Sequence, residues 1–198
     1  MYKSRNHPMY YALGIAVLLS MLMVIFSDIL FYDSGTYADD YYAIMSAFLV
    51  FCGKIFFICY FFTGGEHRWL FVVAAIISIL VEMFWIGNYI RMASELPEYL
   101  TLYTIFIHKA VISISAYVLA ATAACLDFEK KGIMLMSAIL HNLLTLINLP
   151  TLVTLFSDMI ASSSKYNISD FLLSFSTVIF YASMLTYAIF RIKYFKFS

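Results

Sequence analysis

Six long apolar runs alternate with short polar segments along the chain. The runs are Met9–Phe31, Tyr41–Thr63, Trp69–Ile90, Leu100–Leu126, Gly132–Ser157 and Phe171–Phe190. A helix needs about 20 mostly apolar residues to cross a hydrocarbon core of about 30 Å, and each run is long enough. Membrane-barrel strands are shorter and alternate strictly between apolar and polar positions, which these runs do not. The pattern predicts an all-α, polytopic transmembrane bundle of six helices, a single domain over residues 1–198. The longest connection, Asp158–Asp170, leaves no space for a soluble domain, so function is expected within the bundle or its short loops. The first run is too long for the apolar core of a signal peptide, and no small-x-small cleavage site follows it.

Composition agrees with a membrane protein. The 198 residues are 64% hydrophobic and 12% charged, with mean hydropathy +0.89, against about a quarter charged in a soluble domain. A formal net charge of zero supplies no basic field for nucleic acid.

Charge position sets the expected orientation. Lys and Arg in short loops collect on the cytoplasmic side. Lys3, Arg5, Arg68, Lys130, Lys131, Arg191, Lys193 and Lys196 fall on one side of the predicted bundle. Arg91 and Lys165 fall on the other, beside Asp33, Asp39, Asp40, Glu95, Glu98, Asp158 and Asp170. Both termini are therefore expected in the cytoplasm, and the compact chain points to a bacterial cytoplasmic (inner) membrane. Tyr10, Tyr11, Tyr41, Tyr42, Trp69, Tyr89 and Tyr194 sit at span ends, where amphipathic rings anchor at headgroups. Asn167-Ile168-Ser169 is a glycosylation triplet on the outer side.

The spans also contain Asp28, Lys54, Glu82 and Lys109, with His108 and His141. Charges in the membrane are expensive and are functional candidates by default; the alternative is that they pair and hold helices in register. Asp28 lies near an outer end and is expected to reach the interface. Glu82, His108 and Lys109 lie about 12–14 Å below the outer ends of the third and fourth spans. A short connection makes those spans neighbours. A Glu82–Lys109 ion pair is expected, with His108 rotated from it by about 100°. Small residues mark the packing faces, Ala74 and Ser78 below Glu82, and Ser113, Ala116, Ala120 and Ala124 below Lys109.

Lys54 and His141 form a deeper polar layer. Ser137, His141, Thr145 and Asn148 lie on one face of the fifth span, flanked by Asn142. Pro150 removes a backbone donor and frees the carbonyl of Leu146, which in lipid needs another partner. The fifth span is thus expected to line a polar cavity near the third to fifth spans.

Other chemistry finds little support. Cys52, Cys59 and Cys125 lie within spans without a C-x-x-C pattern and read as small apolar residues. Haem held by His108 and His141 is rejected because their levels differ by roughly 12 Å. No H-E-x-x-H zinc motif occurs. Gly64-Gly65-Glu66-His67-Arg68 reads as a tight turn. No catalytic residue, metal or cofactor is assigned.

Three functions remain. The first is a component that binds or transports a small solute. In size, span number, inward termini and minimal loops the chain is similar to the substrate-binding subunits of energy-coupling-factor vitamin transporters. Those dock a partner through small residues on the first helix, and Ala12 and Ala16 give A-x-x-x-A here. The likeness covers topology and that one motif. The second is an intramembrane enzyme acting on a lipid or isoprenoid, with Glu82 and His108 as acid–base groups and Lys109 holding an oxyanion or pyrophosphate. The third is a non-catalytic accessory, sensor or immunity protein. Expected partners are membrane lipid, a membrane protein and a small solute, and not nucleic acid.

Overall fold

The computed structural model describes residues 8–32, 41–125, 131–162 and 164–194. The basic residues Lys3, Arg5, Lys130 and Lys196, the acids Asp33, Asp39 and Asp40, and Leu126 at the end of the predicted fourth span lie outside the described residues. Six helices follow in order: α1 (Pro8–Tyr32), α2 (Tyr41–Phe62), α3 (Arg68–Glu95), α4 (Leu100–Cys125), α5 (Lys131–Ala161) and α6 (Lys165–Tyr194). A single 3-10 turn, Pro97–Tyr99, joins α3 to α4. All six helices are long and apolar enough to cross a membrane. Large apolar side chains such as Phe26, Phe48, Leu80, Ile105, Val153 and Ile160 remain exposed on their outer faces, as expected of helices apolar all round.

The helices outrun the hydrocarbon. The expected connection from Asp158 to Asp170 is mostly helical, because α5 continues to Ala161 and α6 begins at Lys165. At 1.5 Å per residue, the 30 residues of α6 reach about 45 Å. Hydropathy marks only the part within lipid. The Ser164 hydroxyl caps the start of α6 by accepting from the Asn167 amide at 3.2 Å.

Each helix packs extensively only on its neighbours in the chain, and α6 closes the ring against α1. Tyr10 of α1, Tyr60 of α2, Phe71 of α3 and Tyr187 of α6 cluster at one end, with ring centroids 5.1–6.4 Å apart. Ser27 near the end of α1 meets Ser169 near the start of α6 at the other. The chain therefore runs up and down, and α1 starts at the end of the bundle where α6 finishes. We call this the aromatic end, and the opposite one the far end.

The two ends are filled differently. At the aromatic end the Tyr60 and Tyr187 hydroxyls lie 2.7 Å apart. The buried Arg191 donates to the Tyr10 hydroxyl at 3.5 Å, with its guanidinium 5.9 Å from the Tyr187 ring centre. The α2–α3 turn seals this end. Gly64 and Gly65 have φ of 64° and 76°, the left-handed region that glycine enters without steric penalty. Their amides satisfy the carbonyls of Phe61 and Tyr60, each at 3.0 Å.

Along α1 the buried side chains Tyr10, Leu13, Val17, Ser20, Val24 and Ser27 follow one another in alternating steps of three and four, with Gly14 buried beside them. That is the spacing of a coiled-coil seam. On α6, Ser169, Ser176 and Ser183 are buried at intervals of seven. Ser27 faces Ser169 with hydroxyls 2.8 Å apart. Ser20 faces Ser176 at 3.1 Å, and Ser176 donates to the Ser20 carbonyl at 2.7 Å. Small side chains let the backbones approach, and their hydroxyls join them. The glycosylation triplet belongs to this joint. Ser169 is fully buried, and the Asn167 amide donates to the Ser162 carbonyl at 2.9 Å.

Candidate functional site

Lys54 lies on α2 one residue after Gly53, whose α-carbon faces α3: an added Cβ would stand 3.5 Å from the Ser78 hydroxyl. The lysine is buried and reaches across the ring to the α1–α6 seam. Its ammonium donates to the Ser20 hydroxyl at 2.6 Å, the Ser176 hydroxyl at 2.8 Å and the Ser20 carbonyl at 3.3 Å. The Phe180 ring centre is 5.6 Å away, within cation–π range. Three helices thus meet at one cation.

Glu82 on α3 is held differently. Its Oε1 accepts from the Ser113 hydroxyl of α4 at 2.7 Å and from the Tyr181 hydroxyl of α6 at 3.4 Å. Oε2 accepts no hydrogen bond from the described residues. Lys54 and Glu82 both line a cavity of about 160 Å³. Tyr117, Phe180, Tyr181, Ser78, Ser176 and Thr177 also line it.

This arrangement corrects two expectations. Glu82 and Lys109 make no direct ion pair, because Lys109 instead donates to Asn148 Oδ1 on α5 at 2.6 Å. The two charges interact only at longer range. Helical side chains lean toward their own N-terminus. On antiparallel helices at equal depth, Glu82 leans toward the aromatic end and Lys109 toward the far end. They diverge, and Ser113, one turn deeper on α4, meets the carboxylate instead. The cavity also lies between α1, α2, α3, α4 and α6, with no lining residue from α5.

The α5 stripe bonds largely to its own backbone and to α4. Ser137, His141 and Asn148 are buried and Thr145 is half-buried. His141 Nδ1 lies 2.8 Å from the Ser137 carbonyl, which places its proton on that nitrogen. Nε2 is buried with no hydrogen-bond partner, behind the rings of Tyr117 and Tyr181 at 6.0 and 6.4 Å. Thr145 donates to the His141 carbonyl at 2.8 Å, and Asn148 Nδ2 to the Leu144 carbonyl at 2.6 Å. The helix continues through Pro150, with Leu146 on its exposed side.

The remaining candidates lie elsewhere. His108 and Asn142 are exposed, and His108 Nδ1 sits 2.7 Å from the Thr104 carbonyl of its own helix. Glu82, His108 and Lys109 therefore do not converge. Asp28 is exposed, but its charge interacts with Lys54. Ala116, Ala120 and Ala124 are buried, whereas Ala12 is exposed and Ala16 half-buried. Cys59 and Cys125 are exposed and Cys52 half-buried, all as free thiols.

Sequence reasoning missed Ser20, Ser176, Tyr117 and Tyr181. The serines carried a legible signal in their seven-residue repeats; the tyrosines carried none, being two among 16. No family model, curated protein or solved structure matches this chain.

Proposed function

We propose that this multi-pass membrane protein is a solute-binding or transport component, with the cavity between Lys54 and Glu82 as its binding site. The observation that carries the reading is Glu82, a carboxylate with one oxygen unbonded among the described residues, in the wall of an intramembrane cavity that a buried lysine also lines. Burying an ionisable group in lipid is costly, and its retention favours a functional role. A pocket with apolar walls and few polar groups is the usual form of a small-molecule site. The charge asymmetry of the loops supports cytoplasmic termini, and compactness supports a bacterial inner membrane.

The test is mass spectrometry of the protein purified gently from its native membrane, beside Glu82→Gln. A polar solute at stoichiometric amounts, lost in the variant while protein yield is kept, is the expected result. Bulk lipid alone, in both proteins, would overturn the reading.

A second reading has its own observation. All three ammonium donors of Lys54 are taken by Ser20 and Ser176, as a purely structural joint requires. In that case the protein is a non-catalytic accessory or immunity protein that works through its outer helix faces, and a stoichiometric protein partner would co-purify without solute.

A further inference from the structure

We propose that the solute is a small zwitterion, with its ammonium end on Glu82 Oε2 and its carboxylate end toward Lys54. This rests on the solute-binding reading above.

Lys54 and Glu82 line the same cavity yet form no ion pair with each other. The serines of α1 and α6 hold the ammonium back, and Ser113 and Tyr181 hold the carboxylate back. A simple staple would let opposite charges close on one another; here the cavity lies between them. Their placement keeps the two heads at compatible depths. Lys54 lies nearer the aromatic end than Glu82 by about 9 Å of helix rise. Lys54 leans toward the far end and Glu82 toward the aromatic end, so the heads converge in level.

The charge balance narrows the ligand. Lys54 interacts electrostatically with Asp28, and Glu82 with Lys109. Neither Asp28 nor Lys109 lines the cavity. In formal charge the Lys54 and Glu82 side chains offset one another. A lone cation or anion would add an uncompensated charge in a low-dielectric setting, which is expensive. A zwitterion adds none and finds an opposite charge at each end. Its ammonium would also meet the Tyr181 and Tyr117 rings near Glu82, and aromatic faces attract cations. Its carboxylate would compete for the longest Lys54 bond, the one to the Ser20 carbonyl at 3.3 Å. The cavity offers about 160 Å³ to water-sized spheres, well above the roughly 10–15 Å³ that one water needs on that measure. That leaves room for a small zwitterion such as an amino acid.

The test is direct binding to the wild-type protein in lipid nanodiscs with a fixed panel. The probes are glycine, L-alanine, L-serine and 4-aminobutyrate as zwitterions, isopropylamine and propionate as half-molecules, and glycerol as a neutral solute. The expected result is that at least one zwitterion binds tenfold or more tighter than either half. Glu82→Gln should then lower zwitterion affinity at least tenfold and leave propionate binding unchanged. Equal or tighter binding of isopropylamine, propionate or glycerol overturns the zwitterion assignment and leaves solute binding standing. Should no probe bind while a different solute co-purifies, the assignment is again overturned alone. No binding by any probe and no co-purified solute overturn both. The wild-type panel decides the matter even if the variant fails to fold.

Discussion

Ser27 and Ser169 face each other across α1 and α6 with hydroxyls 2.8 Å apart, and each hydroxyl also lies 3.0 Å from the other residue's carbonyl oxygen. One heptad deeper, the Ser20 and Ser176 hydroxyls lie 3.1 Å apart, Ser176 donates to the Ser20 carbonyl, and both hydroxyls receive the ammonium of Lys54. Among the described residues, the extensive interface between helices distant in the chain is thus also the one richest in interhelical hydrogen bonds.

This pairing predicts a specific cross-link. In a background lacking Cys52, Cys59 and Cys125, Ser27→Cys with Ser169→Cys should oxidise to an intramolecular disulfide, since opposed small residues in this geometry fall within bridging range. Ser20→Cys with Ser183→Cys, one heptad out of register, should not. Gel mobility before and after reduction reads the difference.

The glycines separate into opposite responses. An added Cβ at Gly65 would stand 2.9 Å from Tyr10 Cε1, at φ +76°. Gly65→Ala should destabilise the bundle by about 1–2 kcal/mol through clash and left-handed strain. Gly87 in α3 has open space around it. Gly87→Ala should be neutral or stabilising by up to about 1 kcal/mol, as in other helix interiors. Thermal or denaturant unfolding in detergent measures both.

The aromatic end offers a coupling test. Tyr60 and Tyr187 share a buried 2.7 Å hydrogen bond. Either Tyr→Phe change alone leaves one buried hydroxyl without this partner, at about 1–3 kcal/mol. The double variant removes both groups and should lose less than the sum. A double-mutant cycle on unfolding free energy checks this.

Orientation is open to labelling. If loop charge governs insertion, a cysteine at Glu66, in the α2–α3 turn, should react with a membrane-impermeant maleimide only in inside-out vesicles. One at Glu98, beyond α3, should react only in right-side-out cells. The reverse pattern would place the termini outside.

The six spans were legible because twenty-residue apolar windows measure the bilayer itself. Their ends were less so, since α5 and α6 continue into the interface where hydropathy falls away but helix propensity does not. The importance of Lys54 and Glu82 was visible from their cost in lipid. Their partners were not, because depth along a helix can be counted from sequence whereas the lean of a side chain depends on helix direction. Glu82 and Lys109 share a level and point apart. Ser113, a residue counted only as small, takes the place expected of the lysine. The His141 stripe was read on the correct single face, but polar side chains can bond the backbone carbonyl one turn back, as Thr145 and Asn148 do, so polarity alone did not locate the cavity.

The closure of α6 on α1 carries a consequence for how the protein is made. Helices inserted in order of synthesis can each dock on the one before, so five interfaces form locally. The sixth joins the first helix to the last and waits for the whole chain. Until α6 arrives, Ser27 lacks its partner and the Lys54 ammonium lacks Ser176. Closing this ring therefore takes a long-range docking step, and an insertase or chaperone that shelters α1 and α2 during synthesis would act on polar groups that the closed ring hides.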